Sequence, residues 1–321
     1  MDEPIYSFGS DLRTKGKNVS KKIISAGLLT LALTLSACGG AGSENGAAKS
    51  DKDRSYDVSA IQKDETIAAK LPEKIKNNGK LVIGAAIDYA PAEFRADDLQ
   101  TGIGYDVDLG KALGKVLGVE TELSAAEFAS LLPGMGTKYD LGISSFTVSQ
   151  ERTDAYNMIA YIKVGSSYAV QKGNPKELNP DDVCGKHIGV QTGTSQEDQL
   201  REMTKECTAA GKPEINIASY GKQTDVTTNL AGGKIDAMFA DSTVADYSVA
   251  MTNGQLEVIG GIRDSAPQGI VVDKSDEQLT EAVQEAMQKL IDDGTWNKIL
   301  ESWGVSTEAA VTTAELNPKV D

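Results

Sequence analysis

The chain has 321 residues, 40% of them hydrophobic and 25% charged, the profile of a globular protein with a substantial core divided between two units. Its 47 acidic against 32 basic side chains give a formal charge of −15, which argues against nucleic acid as a partner, because phosphate binding needs clustered Lys and Arg. Three cysteines without CxxC spacing and a single histidine give no basis for a metal site, and no cofactor is expected.

Lys15, Lys17, Lys21 and Lys22 precede a mainly apolar run from Ile23 to Ala37 that ends in Leu35, Ser36, Ala37 and Cys38. A basic segment, a short apolar run and small residues at the break describe an export signal over 1–37. The run is shorter than the ~20 residues a membrane-spanning helix needs. Its ending resembles the lipobox of bacterial lipoproteins, which implies acylation of Cys38 and anchoring on the outer face of the cell membrane. The alternative is a plain secretory signal with an incidental cysteine. The acidic stretch from Asp2 to Asp11 is unusual ahead of such a signal, so a start at Val19 rather than Met1 is expected. Lipidation of Cys38 leaves Cys184 and Cys207 as an even pair, expected as a disulfide in an oxidising compartment, the alternative being two buried thiols. Residues 38–57 are Gly, Ala, Ser and charge without an apolar period, and read as a flexible tether.

Two short helical patterns, 58–70 and 72–78, precede the first strand, KLVIGAA (80–86). GYDVDLGKALGKVLG (104–118) sets Val107, Leu113, Val116 and Leu117 on one helical face. Strand VETEL (119–123), helix FASLLPGM (128–135), strand YDLGIS (139–144) and a helix opening near Ser149 follow. The pattern repeats as strand HIGVQ (187–191), helix 195–210, strand EINIA (214–218), helix 222–231, strand IDAMFA (235–240), helix 242–250 and strand LEVIG (256–260). This alternation predicts an α/β fold in two lobes, each a mostly parallel sheet flanked by helices. The last third holds strand GIVVDK (269–274), a helix carrying Leu279, Val283, Met287, Leu290 and Ile291, and helix TWNKILESWG (295–304). These cannot form a core alone and are expected to pack back onto the first unit. Lobe 1 is then 58–166 with 270–305, lobe 2 is 173–262, the hinges are 167–172 and 263–269, and a tail covers 306–321.

Ligands of open α/β sheets bind beyond the carboxyl ends of strands. Ser145 and Thr147 follow the YDLGIS strand, Ser149 suits a helix cap, and Arg152 then falls in the first turn. Its guanidinium is a planar two-pronged donor for a carboxylate, although a single Arg is more often a surface residue. QTGTSQE (191–197) opens a helix with Gly193 at the tight turn and Thr194 with Glu197 as a capping box, a start that favours an anion. Asp241 follows IDAMFA as Ser145 follows YDLGIS, and its ordinary role would be to cap the next helix. Tyr89, Pro91 and Phe94 in one loop and Phe128 in the next offer apolar walls. Trp296 and Trp303 read as packing.

From about 78 to 304 the chain resembles the polar amino-acid-binding proteins of ABC importers, which have the class II periplasmic-binding-protein fold with a two-strand hinge. GYDVDLGKAL, FASLLPGMGTKYDLGISSFTVSQER, GVQTGTSQE, GGKIDAMFAD and DDGTWNKILESWG match that family in order and spacing. The cysteine spacing and the tail resemble its actinobacterial branch. The resemblance implies that Arg152 pairs with the ligand α-carboxylate, helped by N–H groups at Thr147 and Ser195. It implies that Asp241 takes the α-ammonium with the Ser145 carbonyl and the Thr147 hydroxyl. Tyr89 and Phe128 would sandwich the side chain, and Gln191 would reach it from the second lobe. Some relatives that take basic amino acids carry an acid where Ala86 stands, and others have Lys at the Gln191 position. Both are uncharged here, which favours a neutral polar ligand such as glutamine, with Asp88 and Glu93 close enough in sequence to oppose it. The expected protein is a monomeric, lipid-anchored, extracytoplasmic carrier that hands a free amino acid to an ABC permease and its ATPase subunits. The competing readings are an enzyme on the same fold, like cyclohexadienyl dehydratase, and a ligand sensor. Against the first, His187 lies away from the predicted crevice; against the second, no further domain follows residue 304.

Overall fold

The computed structural model of the chain describes residues 54–320. The expected signal segment, Cys38 and the tether as far as residue 53 lie outside the described residues. A 3-10 turn at Val58–Ala60 and two short helices, α1 (Glu65–Ala68) and α2 (Glu73–Asn78), lead into the sheet. The pattern read at 58–70 is therefore two pieces, because Asp57 and Asp64 each cap a new start. Next come β1 (Lys80–Ala85), the small ribbon β2 (Asp88–Tyr89), β3 (Glu93–Arg95) and β4 (Gly102–Ile103), helix α3 (Tyr105–Leu117) and β5 (Glu120–Ala125). The predicted face of α3 is buried, and Gly118, at φ 68°, ends the helix in the left-handed conformation. Segment 128–135 is not one helix. Pro133 and Gly134 break it into two 3-10 turns, Phe128–Ser130 and Leu132–Gly134.

The order continues with β6 (Leu141–Gly142), α4 (Gln150–Ala155), β7 (Tyr156–Gln171), β8 (His187–Gln191), α5 (Ser195–Ala209), β9 (Asn216–Tyr220), α6 (Gln223–Ala231), β10 (Ala237–Asp241) and α7 (Ser242–Met251). Strand β11 (Leu256–Asp273) and helices α8 (Glu277–Asp292) and α9 (Thr295–Ser302) complete the fold. The eight-stranded sheet has the order β5-β1-β6-β11-β7-β10-β8-β9. Within lobe 1, β1 is parallel to β5 and β6; within lobe 2, β8 is parallel to β9 and β10. Two antiparallel strands, β7 and β11, join the halves.

Those two strands depart most from the pattern read in the sequence. The 16 residues of β7 are buried along nearly their whole length, so no period-2 alternation marks them as strand. Strand β11 is continuous where two strands, 256–260 and 269–274, are expected. The expected hinge at 263–269 is part of this strand, which absorbs Gly260 to Pro267 by register shifts between Ile259 and Arg263 and between Arg263 and Ala266. Strand β7 pairs with β10 from Ser166 to Val170, and β11 pairs with β6 at Val271 and Val272.

Helices α8 and α9 return to lobe 1. Leu279, Val283, Met287 and Leu290 are buried on one face of α8, each contributing about 1.5–3 kcal/mol on transfer from water. Both tryptophans pack as expected: Trp296 Nε1 donates to the Tyr161 carbonyl at 2.7 Å and Trp303 Nε1 to Asp108 Oδ2 at 2.9 Å. Cys184 and Cys207 form a disulfide, with a Cα separation of 5.6 Å, that ties the approach to β8 to the end of α5. The tail lies along the lobe-1 half of β7, bridging Ala310 to Ile162 and Leu316 to Ile159.

Candidate functional site

Strand β6 is short because the chain leaves the sheet at Ile143 and turns into the cleft. Ser145 sits at φ 52°, a left-handed conformation uncommon for a non-glycine residue. Two buried carboxyls hold it there. The Ser145 N–H donates to Asp106 Oδ2 at 2.9 Å, and Ser144 Oγ donates to Glu93 Oε1 at 2.6 Å while accepting from the Ala86 N–H at 3.0 Å. Tyr161 also donates to Asp106 Oδ2, at 3.0 Å. Burial, with the neighbouring Asp106 charge, pushes Glu93 well above the usual carboxyl range, and burial raises Asp106 to about 6. The shift favours the protonated form of Glu93, and Asp106 is the acceptor for Ser145 and Tyr161.

After Ser145 the chain forms a bridge between Thr147 and Gln268 of β11, and Ser149 caps α4 by accepting from the Arg152 N–H at 3.2 Å. This fixes the root of the Arg152 side chain. Its Nη1 donates to the Thr147 carbonyl at 2.7 Å and its Nη2 crosses to the Gly193 carbonyl of lobe 2 at 3.1 Å. The guanidinium lies 5.9 Å from the Phe128 ring centre and 6.0 Å from that of Phe146, and the two rings are themselves stacked at 4.9 Å.

On the facing lobe, β8 ends at Gln191 and the chain turns through Gly193 (φ 83°) into α5. Thr194 Oγ1 accepts from the Glu197 N–H at 3.3 Å, while the Glu197 carboxylate accepts from Gly193 N–H at 2.7 Å. The capping box thus closes one residue earlier than expected, on Gly193 rather than Thr194. Ser195 Oγ meets Thr147 Oγ1 across the cleft at 3.0 Å.

Asp241 ends β10 at the start of α7, but its side chain makes no capping bond. Its oxygens accept instead from Gln196 Nε2 at 2.8 Å and from Gln268 Nε2 at 2.7 Å, and its N–H donates to the Tyr89 hydroxyl at 3.2 Å. Burial raises its pKa to about 6, against the opposing bonds from Gln268, Gln196 and Tyr89 and the Arg152 charge. At neutral pH it is an ionised, desolvated carboxylate.

A small pocket lies between the lobes, with internal space for little more than one water molecule as the lobes stand. Its wall brings together Tyr89, Phe128, Ser145, Thr147, Arg152, Gln191, Thr194, Ser195 and Asp241. Ala86 is not on that wall; it is buried in the apolar cluster with Phe128 and Phe146. Ser144 and Gln196 do line it and are not among the residues expected from sequence, nor is Gln268 behind them. Gln196 follows the recognisable Thr194 cap by two positions, a weak signal. Gln268 has none, because its stretch reads as a crossing rather than as part of a site.

Residues 81–306 match the family model described as bacterial extracellular solute-binding proteins, family 3. The arginine-binding protein ArgT of Corynebacterium glutamicum is 33% identical over 258 residues, covering 78% of this chain and 84% of that protein. The L-cystine-binding protein TcyJ of Escherichia coli K12 is 30% identical over 236 residues, covering 73% and 85%. The solved structure of holo ArgBP from T. maritima superposes with a TM-score of 0.62 at 28% identity, covering 73% of this chain and all 100% of that one.

Proposed function

The chain belongs to the bacterial extracellular solute-binding proteins, family 3, and from that premise we propose that it captures a free L-α-amino acid between its lobes for delivery to an ABC permease and its ATPase subunits. The similar proteins are named as binding proteins, and this one is likewise a binding protein rather than an enzyme.

The observation that carries the proposal is the placement of Arg152 and Asp241 on one small closed cavity, one charge from each lobe. A fixed guanidinium answers an α-carboxylate and a desolvated carboxylate answers an α-ammonium. Thr147 and Ser195 frame the first, and the Ser145 carbonyl with the Thr147 hydroxyl frames the second. Tyr89 and Phe128 supply apolar walls for the side chain. Capture and closure are then one event, because the two charges meet the ligand only when the lobes close. Calorimetry against the twenty amino acids tests this: one or a few should bind at micromolar affinity or tighter. Arg152→Ala and Asp241→Ala should each abolish that heat while leaving the far-UV spectrum unchanged.

The carrier reading includes a monomer held at the outer face of the membrane through acylated Cys38. The support for the anchor is the Leu-Ser-Ala-Cys ending of the apolar run. Cys38→Ser should move the protein from the membrane fraction into the medium; retention would refute the anchor.

A further inference from the structure

Gln268 is buried on β11, behind the pocket rather than on its wall, yet it is bonded to both charged ends of the site. Its backbone forms the bridge to Thr147. Two bonds secure that bridge: the Val148 N–H donates to the Pro267 carbonyl at 2.8 Å, and the Gly269 N–H donates to the Phe146 carbonyl at 2.9 Å. Thr147 in turn accepts Arg152 Nη1 on its own carbonyl. The side chain of Gln268 reaches the opposite end, where Nε2 donates to Asp241 Oδ2 at 2.7 Å. A single residue thus spans from the support of the guanidinium to the carboxylate.

Fold stability does not account for this amide. Its Oε1 is buried with no partner among the described residues, a cost that an apolar side chain of the same length would avoid. A charged donor would not serve either. Lys or Arg at 268 would neutralise Asp241 and stand in for the ligand's ammonium, whereas a neutral amide holds the carboxylate and leaves its charge available. Gln196 holds Oδ1 in the same way, but from α5, a helix of the lobe that carries Asp241 itself. Of the two amides, Gln268 is the one that relates Asp241 to the Thr147 segment.

We propose that Gln268 is a positioning residue of the site: from a strand that joins the lobes it fixes the Asp241 carboxylate relative to the Thr147–Arg152 end, so that an α-ammonium and an α-carboxylate are met at one spacing. The inference rests on the amino-acid-binding reading above and adds to it a residue that touches no ligand.

The pH dependence of capture reads this contact. Burial pushes Asp241 up to about 6, and the bond from Gln268 opposes that rise. The other ionisable groups whose charge reaches Asp241 are Arg152, Tyr89 and Tyr105, and burial raises both phenols well above their ordinary range, so neither changes charge near pH 6.

Gln268→Met keeps the length of the side chain and removes its donor. In the ligand-free protein the carboxyl carbon resonance of Asp241, identified by its loss in Asp241→Asn, should titrate about one pH unit higher in the variant. Calorimetry between pH 5 and 8, with the tightest-binding of the twenty L-amino acids as probe, should show the loss of affinity displaced upward by the same amount. Gln268→Asn, whose amide stops one carbon short of the carboxylate, should shift both midpoints alike. A purely structural role would weaken binding by the same factor at every pH and leave both midpoints in place, and that outcome overturns the assignment. A shift in the free protein with none in affinity overturns the part of Gln268 in capture. Absence of heat from the wild type with all twenty overturns capture itself, an outcome that the titration of the free protein distinguishes from a failure of the Gln268 contact.

Discussion

Gln268 Nε2 lies 2.7 Å from Asp241 Oδ2, although Asp241 closes a strand of lobe 2 and Gln268 belongs to β11, which runs between the lobes. The carboxylate proposed to receive the ligand's ammonium is thus held by a crossing strand. Its Oδ1 partner, Gln196, also bonds Ser166 on β7, the other crossing strand, at 2.9 Å. An arriving ammonium competes with both amides, so ligand occupancy alters the hydrogen bonding of both connecting strands at once.

Titration of Asp241 has opposite effects on stability and on capture. Its pKa is about 6 in the fold, against ~3.9 for an unperturbed Asp, so the fold binds this proton more tightly than the unfolded chain does. The contribution of this group to stability is therefore fully present below about pH 4 and lost as pH rises through 6. Asp88 and Asp106, each also raised to about 6 by burial, act in the same direction. Capture needs the carboxylate, so affinity should fall about tenfold per pH unit below pH 6. Calorimetry between pH 4.5 and 8, beside thermal unfolding without ligand, checks both slopes; affinity independent of pH would refute the role of Asp241.

Substitution of Asp106 separates its acceptor role from its charge. Asp106→Ala leaves the buried Ser145 N–H and Tyr161 hydroxyl without their acceptor and should cost about 2–4 kcal/mol. Asp106→Asn keeps that acceptor, offers N–H groups toward Glu93 and removes a buried charge, so the loss should stay below about 1 kcal/mol. Urea denaturation of the two variants checks the contrast, and equal losses would refute the acceptor role assigned to Asp106.

Gly193 is required twice. Its φ of 83° would cost an alanine about 1 kcal/mol in any state, and an added Cβ would stand 3.1 Å from the Ala129 Cβ across the cleft. Gly193→Ala should therefore lower the melting temperature slightly but weaken ligand binding several-fold, because only the closed form brings Ala129 close. A loss in melting temperature without a loss in affinity would contradict this.

The disulfide is remote from the cavity. Replacing Cys184 and Cys207 by Ser should cost about 3 kcal/mol in the chain-entropy account while leaving ligand affinity unchanged. Paired urea titrations and calorimetry on the double variant measure the two effects.

The parts of this site that were legible in the sequence are those with a local cause. Ser149 and Thr194 announce themselves as helix caps, and Arg152 and Asp241 follow strands whose apolar runs are plain. Ser144, Gln196 and Gln268 were not legible, since an amide or hydroxyl gains meaning only from a partner up to fifty residues or more away, as Glu93 is for Ser144 and Asp241 for Gln196. Strand β7 escaped for a different reason. Burial on both faces removes the alternation by which a strand is read, and its Gly165, Ser166 and Ser167 look like loop. Ala86 misled because it neighbours the wall in sequence without reaching it.

Along its first ten residues β7 has β11 on one side only, since β10 joins the other side from Ser166 onward. An uncovered row of peptide groups there would invite a strand from another molecule. The segment around Ala310 and Leu316 occupies that row and so covers this edge of the sheet. The cover for this edge thus lies in a stretch of sequence beyond the matched family region, which stops at residue 306.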